Sequence, residues 1–176
     1  EQRTRKQALP PQCFIHNEVS VLMPLDPDGG GSWIAVNEHG LSMCLLNFYQ
    51  GATPSGPLTS RGMLLRALSH HNSIGSLDKQ LSITPLLSYA PFTLIIFANS
   101  SKRHSSLFKG YQWDGKSINR FTPSSPITSS SVMLEEVITN RLKHYMRQVQ
   151  LKTPGELTRF HSGHDGEKNY HSVCMH

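Results

Sequence analysis

The sequence predicts an α+β fold with antiparallel sheets, on three observations. Residues 33–37 and 41–49 are two β-prone apolar runs around the Glu38-His39-Gly40 turn, and so read as a β-hairpin. Residues 92–98, 105–113 and 116–122 form a second strand block, and its Asp114-Gly115 pair is the strongest hairpin signal in the chain. Residues 132–151 place Leu134, Ile138, Leu142, Tyr145 and Val149 on one helical face. The two strand blocks are expected to form two stacked sheets with the long helix over one outer face. Trp33, Leu45, Phe92, Ile95, Phe97 and Leu142 are then core residues.

The elements follow in order. Residues 1–17 are polar, basic and broken by Pro10-Pro11, and read as loop. Residues 19–25 alternate weakly and form a strand, ended by Pro24 and the Asp26-Pro27-Asp28 turn. Gly29-Gly30-Gly31 then permits positive φ and close backbone approach ahead of Ser32 and Trp33. The run 41–46 is apolar at nearly every position, which predicts cover on both faces, with the polar Asn47 at its end. Residues 50–60 carry Gly51, Pro54, Gly56 and Pro57 and form a loop placed to cover whatever Asn47 faces. Thr59 or Ser60 caps a first helix, and Ser76 a second over 76–83. Residues 122–131 are rich in Ser, Thr and Pro but too short for a linker. Glu135 and Glu136 at the start of the long helix, and Lys143, His144 and Arg147 toward its end, suit its macrodipole. Thr153-Pro154-Gly155-Glu156 is a capping box with Pro at the first helical position. Residues 170–175 read as a final strand.

Composition narrows the class. A chain of 176 residues suits one domain with a substantial core. The longest apolar run, 92–98, is far too short to span a bilayer. Cys13, Cys44 and Cys174 are odd in number and widely spaced, which argues against a disulfide framework and for a reducing, cytoplasmic setting. The net charge of +5 is dispersed, and the aromatic residues lie in strand-like runs, so the pattern is not that of a nucleic-acid binder. A mildly basic surface instead helps attract an anionic small ligand.

His161, His164, His171, Cys174 and His176 crowd the C-terminal end, but their spacing matches no compact zinc motif, so no metal site is assigned. The triple glycine leads into a strand and lacks the lysine of a phosphate loop, so a tight turn is the better reading. An N-terminal nucleophile needs its side chain and α-amine on residue 1, which Glu1 cannot supply. Cys44 lies between Met43 and Leu45 in a buried strand, where thiols are inert.

Gly30-Gly31-Ser32-Trp33, followed by a strand, a turn and a strand ending Leu46-Asn47-Phe48-Tyr49, resembles the NRDE family of transport and Golgi organisation protein 2-like proteins. That family takes its name from an Asn-Arg-Asp-Glu motif with a trailing Arg. The resemblance aligns Glu1 with its last letter and Arg5 with the Arg, and Ser60-Arg61-Gly62 with an Arg-Gly after the hairpin. His171-Ser172-Val173-Cys174-Met175-His176 resembles a late strand of bacterial members.

The resemblance implies a fold like that of N-terminal-nucleophile hydrolases, αββα in layers. Residues 1–176 would then be a single family domain lacking its N-terminal strand and C-terminal end, with Asn-Arg-Asp upstream of Glu1 and a Cys at the mature N-terminus. It further implies handling of haem or an acyl conjugate, with no covalent haem attachment motif present. His39, His70 and His71 are candidate axial ligands in that case. The ligand site falls on Glu1, Arg5, Gly30, Gly31, Ser32, Trp33 and Asn47. The alternative is a Cys amide hydrolase acting on linear C–N bonds, in which Asn47 donates to an oxyanion.

Overall fold

In a computed structural model, residues 6–100, 105–124, 126–163 and 169–173 are described. Seven strands pair in chain order into one antiparallel sheet. They are β1 (Leu9–His16), β2 (Val19–Leu25), β3 (Ile34–Asn37), β4 (Leu41–Asn47), β5 (Phe92–Ser100), β6 (Ser105–Trp113) and β7 (Ile118–Phe121). Helices α1 (Arg61–Leu68) and α2 (Ile74–Ile83) are inserted between β4 and β5. The chain divides into two compact units, Glu1–Pro123 and Ser124–His176.

In the first unit, period-2 alternation sends Val21, Met23, Ala35, Leu41, Met43, Leu94, Ile96, Tyr111 and Trp113 to one face. There they pack with Leu64, Leu65 and Leu68 of α1 and Leu77 and Leu81 of α2 in one core. Each such leucine contributes about 1.5–3 kcal/mol by leaving water. Arg120 of β7 ties α2 to the sheet, with its Nε 2.8 Å from Asp78 Oδ1 and its Nη2 donating to Ser82 Oγ. Asp114 closes the β6–β7 hairpin by accepting the Lys116 and Ser117 amides at 2.7 Å, and Gly115 takes φ 96°.

Tyr111 is fully buried beneath this pair. Burial first, and the Asp78 carboxylate second, push its phenol up from 10.0 to about 12. A raised acid pKa means that the neutral phenol stabilises the fold below pH 10.0, and that this contribution is lost as pH rises toward about 12. Denaturant titrations are therefore expected to show stability falling across that window in the native chain. Tyr111→Phe should remove this component; an unchanged alkaline slope would contradict the assignment.

The α+β class and the antiparallel pairing hold, and several finer expectations are corrected. The block from β5 to β7 does not start a second sheet among the described residues. β5 pairs with β4 over seven residues, from Leu41↔Ala98 to Asn47↔Phe92, and so extends the first sheet. Residues 9–16 are a strand rather than loop. β1 is an edge strand whose pairing skips Pro10-Pro11, where the register shifts between Leu9 and Gln12, so the missing N–H groups break no ladder. β4 is fully covered on one face only, since Leu41 and Met43 are buried while Ser42 and Cys44 on the other face are partly buried. Phe97 (37% exposed) lies on the face away from that core with Cys44, a face on which Ile95 is nonetheless buried, and Leu45 is only partly buried. Ser73, not Ser76, caps α2, with its side chain accepting the Ser76 amide.

The second unit holds α3 (Leu134–Gln148), α4 (Pro154–His161) and a 3-10 turn, Asn169–His171. The capping box at Thr153 and Glu156 forms. Residues 170–173 do not extend as a strand; the expected residues 174–175 lie outside the described ones. Helix α3 buries Val137 and Arg141, whereas Ile138 and Leu142 in the middle of the expected stripe are 40% and 39% exposed; Leu134 and Tyr145 are half-buried and Val149, just past the helix, is buried. The reason is Arg141, whose guanidinium is buried among backbone carbonyls and fixes the rotation of the helix. It donates to the carbonyls of Ser129, Tyr170, His171 and Ser172 and to Thr128 Oγ1. No helix among the described residues is long and apolar enough to cross a membrane.

Candidate functional site

The candidate site lies at the end of the sheet where β3 opens and β4 closes. The chain turns from β2 through Asp26 to Gly31, with Gly30 N donating to Asp26 O (2.8 Å) and Asp26 N to Gly31 O (2.9 Å). Gly30 adopts φ 65°, which glycine takes without strain. Gly31 meets the start of α1 backbone to backbone: a Cβ there would lie 2.2 Å from the carbonyl carbon of Gly62. Ser32 N donates to Gly62 O at 3.1 Å, and Arg66 Nη1 to Gly30 O at 3.0 Å. The glycine run is thus a close-packing joint between hairpin and helix. The amides of Gly30 and Ser32 are spent on protein carbonyls, so neither is offered to an anion.

Ser32 is buried and its hydroxyl donates to Ile34 O at 2.8 Å, which turns the chain into β3. Trp33 is therefore thrown outward and is 44% exposed, contrary to the expectation of a core tryptophan. Its carbonyl accepts Leu45 N at 2.8 Å, which brings it alongside the end of β4. Asn47 is half-buried there and its Nδ2 donates to Tyr49 Oη at 2.8 Å. Phe48 N and Arg61 Nη1 both donate to Pro91 O, tying β4, β5 and α1 together at this end. Glu1 and Arg5 lie outside the described residues. Lys6 N donates to Asp28 Oδ2 at 3.1 Å, so the chain from Lys6 onward passes beside the Asp26–Gly31 turn.

Gly30, Gly31, Ser32 and Trp33 thus stand in sequence where the hairpin meets α1, and Asn47 ends β4 two residues beyond Leu45, whose amide Trp33 O accepts. Tyr49 and Arg61 belong to the site as well. Arg61 was visible only as part of an Arg-Gly pair, and Tyr49 only as the end of an apolar run. Burial pushes the Cys44 thiol up, away from a reactive thiolate. His39 and the His70-His71 pair lie at the opposite end of the hairpin, beside Asn37, whose Nδ2 donates to Ser69 O and His71 O. Among the C-terminal histidines, His161 is exposed and His171 is buried with its Nε2 3.0 Å from Glu136 Oε1. His164, Cys174 and His176 lie outside the described residues. Among the described residues no group of three His, Cys, Asp or Glu is placed to hold a metal ion.

The family model described as Transport and Golgi organisation 2 matches residues 1–155. No curated protein matches the chain. Among solved structures, a variant of conjugated bile acid hydrolase from Clostridium perfringens is similar at 15% identity and TM-score 0.46, over 72% of this chain and 42% of that one. Another variant of that hydrolase gives 16% identity and TM-score 0.43, over 72% and 42%. Penicillin V acylase from Agrobacterium tumefaciens gives 9% identity and TM-score 0.38, over 80% and 48%. The chain spans less than half the length of each of these structures.

Proposed function

The chain belongs to the Transport and Golgi organisation 2 family, and from that premise we propose that it binds or carries a small amphipathic ligand, haem or an acyl conjugate, without transforming it. The observation that supports this reading is Trp33. A large ring 44% exposed, on a residue whose carbonyl holds Leu45 two positions before Asn47, is suited to cover an apolar ligand surface while Asn47 and Tyr49 meet its polar end. Arg5 would pair with a ligand carboxylate or phosphate, a strong charge-assisted contact, and Glu1 would border the same end. The histidines proposed as axial ligands stand away from Trp33, so haem at this site would be held through its face and its carboxylates.

The test is titration of the whole protein with haem, followed by haem absorbance, and with an acyl-CoA, followed by calorimetry, so that the readout survives the loss of Trp33. Trp33→Ala is expected to weaken binding by about tenfold or more, as for a central aromatic contact. Equal affinity in the variant, or no binding in the parent, would overturn the site. The second reading is an amide hydrolase whose nucleophile lies outside these 176 residues. The Asn47 amide favours it, because it sits at a strand end and its Nδ2 carries a second hydrogen beyond the one donated to Tyr49 Oη. In that case Asn47→Ala should lower kcat about 10²–10³-fold. Amide turnover lost with that substitution would replace the carrier reading.

A further inference from the structure

We propose that His16, His70 and His71 form a proton-operated latch on the turn between α1 and α2. The three imidazoles are packed together at the far end of the sheet from Trp33. The rings of His16 and His70 lie 4.6 Å apart edge to face, and those of His70 and His71 lie 4.5 Å apart, stacked. Nδ1 of His16, Nδ1 of His70 and Nε2 of His71 are enclosed without a hydrogen-bond partner. Nitrogens enclosed in this way are tolerable only while the rings are neutral.

The turn they sit on is held by one side chain. Asn37 is buried and donates to Ser69 O at 2.9 Å and His71 O at 2.8 Å. Its Oδ1 accepts His39 N and Leu41 N, each at 3.1 Å, which pins the same residue to the β3–β4 turn. Protonating two rings places like charges about 4.5 Å apart on the turn that those two carbonyl contacts hold.

Most charged groups on the neighbouring elements are engaged elsewhere. Glu18 follows His16 in the β1–β2 turn. Glu38, beside His39, is engaged with Ser20. Arg66 of α1 is held by Gly30 O and lies 5.7 Å over the Phe14 ring. Asp78 of α2, next to Lys79, pairs with Arg120. Burial, and then the other histidines, hold His70 and His71 below the ordinary imidazole value of 6.5, with the Ala67 backbone opposing this at His70. A lowered base pKa means that docking is complete above pH 6.5 and is lost as pH falls below it.

The test is hydrogen exchange of the amides of residues 69–73 at about pH 7.5 and about pH 5.5, corrected for intrinsic rates. In the native chain their opening should rise on acidification, because the closed turn binds the protons less well than the open one. With His70→Asn and His71→Gln combined, opening should become independent of pH. Imidazole NMR titration of the native chain gives a readout that needs no variant: His70 and His71 should titrate below 6.5, and His16→Gln should move the His70 midpoint upward. Titration of both rings at the ordinary value, or the same pH dependence in the double variant, would overturn the latch.

Discussion

Replacing Gly31 by alanine is expected to destabilise the protein by about 3 kcal/mol, lowering Tm by about 6–12 °C. The added Cβ would stand 2.2 Å from Gly62 C, 2.5 Å from Met63 N and 2.6 Å from Gly62 Cα. All three are backbone atoms, so no side chain can swing away. The first turn of α1 must move, and with it the Ser32 N to Gly62 O bond and the Arg61 contact with Pro91 O. Gly75→Ala is the control, because a Cβ there meets nothing within 4 Å and alanine is the better helix former. Thermal melts of the two variants should separate close backbone approach from glycine's general cost. Equal Tm values would show that the joint yields freely.

That joint explains why part of the site was legible in the sequence. Three consecutive glycines announce close approach or positive φ, and both occur, at Gly31 and Gly30. The sequence does not say what approaches. The partner is Gly62, thirty-one residues on, and the pairing depends on α1 starting where it does. The hairpin 34–47, β5 and the Asp114-Gly115 turn were legible because period-2 patterning and turn chemistry agree there.

β1 was not legible, for two local reasons. Prolines normally argue against a strand, and its turn uses Asn17 and Glu18, both at positive φ (46° and 65°), in place of an Asn-Gly pair. Trp33 was misread because size and hydrophobicity predict burial. The Ser32 hydroxyl bond to Ile34 O, which turns the ring outward, leaves no periodic trace. The same limit applies to α3. Counting apolar positions at helical spacing selects Ile138 and Leu142, but a buried guanidinium with several acceptors outweighs them in setting which side faces inward.

That last point carries the second large effect. Arg141→Met is expected to cost about 3 kcal/mol in the Ser124–His176 unit, although methionine fills much of the same volume. Arginine's planar fork reaches Ser172 O at 2.8 Å and, more weakly, His171 O at 3.3 Å and Tyr170 O and Ser129 O at 3.4 Å. Removing it strands those carbonyls beside an apolar chain, and each unsatisfied buried acceptor costs about 1–3 kcal/mol. Several will find water once the turn Asn169–His171 lifts, which keeps the total below the sum. Lysine should not rescue the loss, since a single ammonium cannot serve carbonyls on both flanks of the helix. The readout is protease sensitivity near residues 170–172 together with hydrogen exchange along α3. Cleavage should rise sharply in both variants while exchange in β4 and β5 stays unchanged. Arg141→Lys retaining native protection would mean that charge alone, and not the fork, holds the turn.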